Sequence, residues 1–380
     1  MKKILAIILV VVLLISLSAC GEKNGWTDDG KINLTESSVL EIINGEFKTP
    51  KNIIFIIGDG MGVNDIETTE IYSEEKFPFG LVINQIKNQG LSTTASADSK
   101  ITDSAASATA LSTGVKTNNG FIGKDPQGND LKTMAELARE CGKKVGIITN
   151  EDINGATPSG FTVHSDSRDN RKEIINKFIN FKPDVLMGVD YNSVFVALND
   201  EERQMFENDY VVAKKFEDFE TAAATDPEAQ KPFIGFIEKY SSVASYNLAQ
   251  SAKFAFDRLK NDNGFFVMIE SAGTDKFGHN KDMNGKIASV VTLDRTVAAA
   301  LLFMKENPDT LLVVTSDHET GGVRKPTGNE KYLSDLFTTG SHTATKVKVF
   351  AVGKGSEYFN GETVDNTDIA KFLIDAIKGN

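Results

Sequence analysis

Short, continuous apolar runs alternate with longer helical stretches from residue 50 onward. The strand-like runs are 52–57, 145–148, 265–269 and 311–314, and the main helical stretches are 130–140, 241–260 and 286–305. Strands that are apolar at every position are buried on both faces, which requires a layer of helices on each side of the sheet. The pattern therefore predicts an α/β fold whose central, largely parallel β-sheet is flanked by helices on both faces.

Polar residues follow directly after these predicted strands. Asp59 follows the first run, Glu270 follows the third, and Asp317 and His318 follow the fourth. Because ligands of such sheets bind beyond the carboxyl ends of the strands, these side chains should project toward one edge of the molecule. The sequence thus predicts one site assembled from segments that are far apart in the chain.

The rest of the predicted domain, 50–380, carries fewer signals. Residues 191–239 are polar, strongly charged and helix-like, and we expect a helical flank or an insertion that covers the sheet. Residues 346–352 alternate as a half-buried strand does, and 366–377 have the pattern of a closing helix.

Residues 1–20 have the pattern of an export signal. Lys2 and Lys3 precede an apolar run that is shorter than the roughly 20 residues of a comfortable membrane span. The run leads into Leu17-Ser18-Ala19-Cys20, which resembles the lipobox of bacterial lipoproteins. An ordinary signal peptide cut near Ala19 is the alternative. We expect an exported protein that is anchored to the cell membrane by a lipid on Cys20 and faces away from the cytoplasm.

Residues 21–49 contain scattered Gly, Asn, Asp, Ser and Thr with little apolar periodicity, and we expect them to form a tether. With Cys20 lipidated, the other cysteine, Cys141, has no disulfide partner and is expected to be a small packed hydrophobe. The 380-residue chain has a formal net charge of −12 and no long Lys/Arg run. This charge argues against a nucleic-acid-binding surface and favours the binding of cations.

Ser104 is the candidate nucleophile. The residues after it, 105–111, are rich in helix formers, so Thr102 or Asp103 can cap a helix whose first turn contains Ser104. The unpaired N–H groups and partial positive charge of a helix amino terminus suit a seryl alkoxide and a bound phosphoryl group. Taken alone, this stretch fits a helix of small residues that packs closely on a sheet better than it fits a nucleophile, and the other motifs reverse that preference.

Two residue pairs have the chemistry of metal ligands. Asp275 and His279 are four residues apart and share one face of a helical turn, whereas Asp317 and His318 are adjacent at a strand end. Each pair alone could also be a polar cap. Together with Asp59 and His342, the six side chains suit two zinc ions.

A second set consists of oxygen donors. Glu270, Thr157 and a second oxygen of Asp59 would suit Mg²⁺, which prefers oxygen ligands and keeps several waters.

Five motifs occur in one order along the chain. They are GDGMG at 58–62, TDSAASATA at 102–110, ESAGTDK at 270–276 with His279, TSDH at 315–318, and GSHT at 340–343. In sequence and order they resemble the motifs of the alkaline phosphatases, and the resemblance covers roughly residues 50–375.

The resemblance implies a phosphate monoester hydrolase that forms a phosphoserine at Ser104 and uses two zinc ions and one magnesium ion. It implies further that phosphate is bound by Arg168, through its planar fork, and by Lys276. It also suggests a homodimer. The implied ligands are Asp275, His279 and His342 for one zinc ion, Asp59, Asp317 and His318 for the other, with Ser104 completing its shell, and Asp59, Thr157 and Glu270 for magnesium.

Gly155 departs from the family pattern, since relatives often carry an Asp or His at this position near the magnesium. His164 has no counterpart among the ligands and is expected to be structural. Two alternatives stay open: a phosphodiesterase on the same fold, and a lipid-anchored protein that binds metal or phosphate without turnover. A sulfatase is disfavoured because its motif around a modified Cys or Ser is absent.

Overall fold

The computed structural model describes residues 22–23 and 25–379. The strands are β1 Glu22–Lys23, β2 Trp26–Thr27, β3 Asn52–Gly58, β4 Asn88–Thr93, β5 Lys144–Asp152, β6 Val185–Val189, β7 Val211–Ala213, β8 Phe233–Phe236, β9 Phe265–Ser271, β10 Thr310–Thr315, β11 Glu319–Thr320, β12 His342–Thr343, β13 Val347–Val352 and β14 Thr363–Asp365. The helices are α1 Glu36–Ile43, α2 Val63–Tyr72, α3 Ser104–Thr113, α4 Met134–Glu140, α5 Ala156–Gly160, α6 Arg171–Phe181, α7 Tyr191–Ala197, α8 Asp200–Asp209, α9 Phe219–Ala223, α10 Asn247–Leu259, α11 Gly273–His279, α12 Met283–Glu306 and α13 Asn366–Lys378. The predicted signal segment and Cys20 lie outside the described residues.

A ten-stranded sheet with the order β14-β4-β13-β10-β3-β9-β5-β6-β8-β7 forms the centre of the molecule. Parallel pairing runs without interruption from β10 through β3, β9, β5, β6 and β8 to β7. Strand β13 is antiparallel to both of its neighbours, β10 and β4. The predicted α/β fold with a largely parallel central sheet is therefore confirmed.

Helices cover both faces of the sheet, and alternate residues along a central strand pack into the hydrophobic core on one face or the other. Ile54 and Ile56 of β3 pack with residues of helices α10 and α12. Ile53 and Phe55 pack on the other face, with residues of helices α3, α4, α6 and α13. This is why the central strands read as continuous apolar runs.

Helix α12 is long and apolar enough to cross a membrane, with a mean hydropathy of 1.7 over its best window. In the fold, however, 94% of that window is buried against the rest of the protein. Its apolar surface therefore faces the core of the domain, which is a frequent use of such a helix.

The segment 25–49 is not a free tether, which corrects the prediction from composition. Ile32, Leu34, Val39 and Ile42 are buried in the main core, and α1 begins with a capping box at Thr35. The apolar residues are few and widely spaced, so their periodicity was too weak to indicate a helix.

The segment 191–239 contains helices α7, α8 and α9, as expected, but it also extends the sheet. Strands β7 and β8 form its outer end, and the four residues of β8 are all buried. Such short strands, separated by charged turns, give little signal in the sequence.

Cys141 is exposed, which contradicts the expectation that it packs inside. It is the residue that ends α4, and Gly142 follows with a φ of +73°, so the chain turns at the surface there.

Candidate active site and metal centre

Four adjacent strands bring the predicted site residues to one edge of the sheet. In the β10-β3-β9-β5 register, Thr315 pairs with Ile57, and Ile57 and Thr149 both pair with Glu270. The residues that follow these positions consequently emerge side by side, although they are far apart in sequence. This arrangement is the one predicted from parallel strands.

Gly60 allows the first loop of this edge to be tight. Its φ is +68°, and a Cβ there would lie 2.7 Å from the Cα of Asp275 and from Oγ1 of Thr320. The glycine thus combines a left-handed backbone with close contact between two segments of the site. Its N–H donates to Oδ1 of Asp317 at 3.0 Å, which fixes that carboxylate.

Ser104 is the first residue of α3 and is only 3% exposed. Asp103 caps the helix by accepting a hydrogen bond from the N–H of Ala106 at 2.9 Å. The Ser104 Oγ lies 3.2 Å from Nε2 of His318. The same helix consists largely of buried small residues, so the prediction of close packing is confirmed, and the role of Ser104 as a nucleophile stays a prediction.

Asp59, Asp317 and His318 form a buried cluster in which one ligand atom from each lies within 4.8 Å of the others. Nε2 of His318 is 3.5 Å from Oδ1 of Asp59 and 3.2 Å from Oδ2 of Asp317. Within the described chain, both of these oxygens are buried and form no hydrogen bond. Buried oxygens are nearly always satisfied, so this pair fits a cation.

Asp275 and two imidazoles form the adjoining cluster. Nε2 of His279 and Nε2 of His342 lie 3.2 and 3.3 Å from Oδ1 of Asp275. The opposite ring nitrogens face backbone carbonyls, His279 Nδ1 at 2.8 Å from Gly340 O and His342 Nδ1 at 2.9 Å from Thr102 O. A proton on each Nδ1 would leave Nε2 free as a ligand, which is the usual arrangement of metal-binding histidines.

The two clusters adjoin each other. The rings of His318 and His342 are stacked with centroids 3.6 Å apart, and Asp275, His318 and His342 form a compact three-donor group. His279 lies on the outer side, where 43% of its side chain is exposed. The structure therefore brings together all six residues predicted from the sequence as ligands of two zinc ions.

A third group consists of carboxylates and includes a residue that the sequence analysis missed. Asp59, Glu151 and Glu270 have oxygens within 4.8 Å of one another. Thr157 is buried beside Glu270, and its hydroxyl acts to lower the pKa of that carboxyl. The Thr157 hydroxyl is close enough to influence Glu270 but does not form a hydrogen bond of normal geometry with it. The Oγ1 of Thr157 thus has no hydrogen-bond partner among the described residues.

Burial controls the protonation of these groups. It raises the pKa of Asp59 well above its usual range, helped by the charge of Asp317. Burial and the charge of Glu151 raise the pKa of Glu270 to about 7. Burial lowers the pKa of His318 to about 4, so this imidazole is neutral near pH 7. Carboxylates crowded in this way would ionise fully only beside a cation.

Asp275 behaves differently because it has positive partners. Burial acts to raise its pKa, but hydrogen bonds from His279 and His342 outweigh burial and lower this pKa well below its usual range. Asp275 is thus an ionised carboxylate between two imidazoles, which is the charge state that a metal ligand requires.

Arg168 and Lys276 supply positive charge at the same edge. The Arg168 Nη1 donates to Oδ2 of Asp103 at 3.1 Å, next to Ser104 in the chain. The Lys276 Nζ lies 3.2 Å from Glu151 and 3.4 Å from Asp275. Arg168 therefore lies beside the residue that precedes the nucleophile, and Lys276 lies beside the metal-binding groups.

Thr320 and Lys286 were not singled out in the sequence. The Thr320 Oγ1 donates to Oδ1 of Asp275 at 2.6 Å and lies 3.2 Å from Nδ1 of His318, so it connects the two clusters. The fully buried Lys286 donates to the carbonyl of Thr320 and pairs with Asp65 at 2.8 Å. Thr320 follows the TSDH motif by two residues, which was the available signal. His164 was expected to be structural, and its Nε2 lies 2.7 Å from the carbonyl oxygen of Leu131.

A model of the alkaline phosphatase family matches residues 50–194 and 241–336, which is more than half of the chain. The chain belongs to the alkaline phosphatase family. It is 27% identical to alkaline phosphatase 3 of Bacillus subtilis, over 92% of this chain and 93% of that protein. It is 30% identical to the alkaline phosphatase of Escherichia coli, over 71% of this chain and 70% of that protein.

Solved alkaline phosphatases have the same fold. The enzyme of the Antarctic bacterium TAB5 superimposes with a TM-score of 0.75 at 31% identity, covering 88% of this chain and 100% of that one. Alkaline phosphatases are hydrolases that use divalent metals, and the Asp/His groups at the sheet edge are suited to bind them. A phosphodiesterase is not favoured by these relationships.

Proposed function

We propose that the protein hydrolyses phosphate monoesters, with Ser104 as the nucleophile. The observation that carries this proposal is the position of the Ser104 hydroxyl at a buried helix amino terminus, 3.2 Å from His318. Around it lie buried oxygens of Asp59 and Asp317 that form no hydrogen bond with any described residue. A nucleophile beside open metal ligands fits hydrolysis better than storage of a metal or of phosphate, which needs no nucleophile.

The donor sets fit two zinc ions and one magnesium ion. Asp59, Asp317 and His318 would hold one zinc ion, and Asp275, His279 and His342 would hold the other, since mixed nitrogen and oxygen ligands suit zinc. Oxygen donors from Asp59, Glu270 and Thr157 suit magnesium, and a TAB5 alkaline phosphatase mutant has Mg bound. When bound, the metals would lower the pKa of the serine hydroxyl and neutralise negative charge on the leaving oxygen.

The protein groups orient the substrate. The helix α3 amino terminus, where Asp103 caps the chain, directs N–H groups toward a phosphoryl group bound at Ser104. The guanidinium of Arg168 can bind two phosphoryl oxygens while Asp103 holds it in place. Such positioning and charge neutralisation supply most of the catalysis of phosphoryl transfer.

The reaction would have two displacements. The Ser104 oxygen loses its proton and forms a bond to phosphorus, while the bond from phosphorus to the alcohol oxygen breaks and that oxygen gains a proton. Water then attacks phosphorus, the bond to the serine oxygen breaks, and inorganic phosphate leaves as Ser104 is reprotonated. The contacts proposed for Arg168, for the helix α3 amino terminus and for the metals are to the phosphoryl group and not to the carbon part of the alcohol, so we expect several monoesters to be accepted.

The test is hydrolysis of p-nitrophenyl phosphate by the wild type, Ser104→Ala and Ser112→Ala. Ser112 lies at the other end of α3, where its hydroxyl accepts a hydrogen bond from the N–H of Met134, so it is a matched control. We expect Ser104→Ala to lower kcat at least about 100-fold with unchanged zinc content, and Ser112→Ala to keep the wild-type rate. Full activity of Ser104→Ala would refute the proposal. If the wild type hydrolysed the diester bis(p-nitrophenyl) phosphate faster than p-nitrophenyl phosphate, a phosphodiesterase would be favoured instead.

We also propose that the protein is exported and anchored to the outer side of the cell membrane through Cys20. The support is the basic start, the apolar run and the Leu17-Ser18-Ala19-Cys20 segment in the sequence. Replacing Cys20→Ser should move the protein from the membrane to the soluble fraction. Unchanged fractionation would show that Cys20 is not the anchor.

A further inference from the structure

Glu151 lies at the end of β5, where the strand is irregular. The pairing of β5 with β6 shifts register between Ile148 and Asp152, so β5 accommodates two extra residues there. Thr149 and Glu151 are two residues apart on this strand, and the N–H of Glu151 donates to Oγ1 of Thr149 at 3.0 Å. Since the Thr149 hydroxyl also donates to Glu270, Glu151 and Glu270 are held on the same side of the sheet edge.

The Glu151 carboxylate is directed into the third group of donors. One of its oxygens lies within 4.8 Å of oxygens of Asp59 and Glu270, and only 17% of its side chain is exposed. An independent feature of the same place is Thr157, which is 1% exposed and whose hydroxyl has no hydrogen-bond partner among the described residues. A buried hydroxyl without a hydrogen-bond partner, next to Glu270 of this group, is suited to a cation that prefers oxygen.

The charges also favour a cation. Three carboxylates, Asp59, Glu151 and Glu270, face one ammonium group, that of Lys276, which lies 3.2 Å from Glu151. If all are ionised, the sum is three negative charges and one positive charge, or −2. One divalent cation would bring the formal charge of this buried group to zero, which removes most of the cost of burying it.

Gly155 cannot contribute a side chain to this site. It precedes α5 directly, four residues after Glu151, and Thr157 lies in the first turn of that helix. The residue directly before α5 thus contributes only backbone. The Glu151 carboxylate approaches the same group of donors from the strand instead.

Resting on the proposed function, we propose that Glu151 is a ligand of the magnesium site, together with Asp59, Thr157 and Glu270. Glu151 would make the site a three-carboxylate site, more negative than one built from Asp59, Thr157 and Glu270 alone. Its contact with Lys276 is then a secondary one that limits the negative charge when no cation is bound.

The experiment measures Mg²⁺ binding by calorimetry to the zinc-loaded protein and determines zinc content on the same preparation. Glu151→Gln should weaken Mg²⁺ binding at least tenfold with zinc content unchanged. The matched control is Asp152→Asn, which removes the same charge from the next residue, whose carboxylate faces Arg171 at 3.3 Å. The control should bind Mg²⁺ like the wild type, and wild-type affinity in Glu151→Gln would overturn the inference.

A second pair of variants tests whether Glu151 binds Mg²⁺ directly or acts only through its ion pair with Lys276. If Glu151 is a ligand, Glu151→Gln should weaken Mg²⁺ binding by a similar factor in a Lys276→Met background. If the effect disappears there, Glu151 acts through Lys276 and the inference is wrong. Monoester turnover is measured separately. Full activity of Ser104→Ala would refute the proposed function but would not change the Mg²⁺ result. Unchanged Mg²⁺ binding by Glu151→Gln would refute only the role of Glu151.

Discussion

Two buried aspartates, Asp59 at the sheet edge and Asp294 inside helix α12, occupy similar environments but have different partners. They are 2% and 1% exposed, and burial raises the pKa of both, that of Asp294 to about 7. The Asp294 oxygens accept the N–H groups of Val82 and Ile83 at 3.0 and 2.8 Å. The Oδ1 of Asp59, in contrast, has no hydrogen-bond donor within the described residues.

The difference distinguishes a structural carboxylate from a ligand. Asp294 is matched to backbone donors and joins α12 to the segment around Val82, so its burial is compensated within the fold. Asp65 is an intermediate case, since its Oδ1 is open but its Oδ2 pairs with the buried Lys286. Within the part of the chain that the structure describes, Asp59 and Asp317 have neither full hydrogen bonding nor a lysine in contact, and a metal ion is the partner that their geometry suits.

The largest effect is expected from Asp317→Asn. The amide can still accept the N–H of Gly60, but it replaces the open Oδ2 with a group that does not bind zinc. We expect kcat/KM for p-nitrophenyl phosphate to fall about 100-fold or more, with loss of one zinc ion per chain. Melting of the metal-free variant should be no lower than that of the metal-free wild type, because a buried charge is removed. Full activity with full zinc content would contradict the role of Asp317.

The reverse outcome is expected for Asp294→Ala. Removing this carboxyl leaves the buried N–H groups of Val82 and Ile83 without their acceptor, which should cost about 2–4 kcal/mol of unfolding free energy. Turnover per folded molecule should stay at the wild-type level. Denaturant titration and active-site-normalised rates measure the two quantities. If Asp294→Ala were as stable as the wild type but inactive, Asp294 would not be a structural carboxylate, and its proposed difference from Asp59 would be wrong.

A smaller effect is expected from Thr320→Val, which keeps the shape of the side chain and removes the hydroxyl between Asp275 and His318. Because Thr320 positions ligands and does not itself bind the metal, zinc affinity should fall about tenfold. Competition with a chelator measures this change. Thr320→Ser should restore most of the affinity, and equal losses in Val and Ser variants would show that the hydroxyl is not what matters.

The central strands and three of the six zinc-type ligands could be predicted from sequence because two simple rules operate there. Continuous apolar runs indicated the buried strands, and parallel pairing placed Asp59, Asp317 and His318 at one edge. Both rules depend on position along the chain and need no knowledge of distant contacts.

The features that were missed depend on local geometry that the sequence does not display. Glu151 reaches the site because β5 is irregular near its end, and a register shift has no signature in a run of polar residues. The core residues of 25–49, such as Leu34 and Val39, are too sparse for a periodicity. The short strand β8 follows a charged segment, and its pairing with β6 is a long-range contact.

The central claim is that the open oxygens at the sheet edge are metal ligands. The most direct test is anomalous diffraction at the zinc absorption edge from crystals of the zinc-loaded protein. We predict two peaks, one among Asp59, Asp317 and His318 and the other beside Asp275, His279 and His342. The absence of a peak at both positions, in protein that hydrolyses phosphate monoesters, would contradict the account.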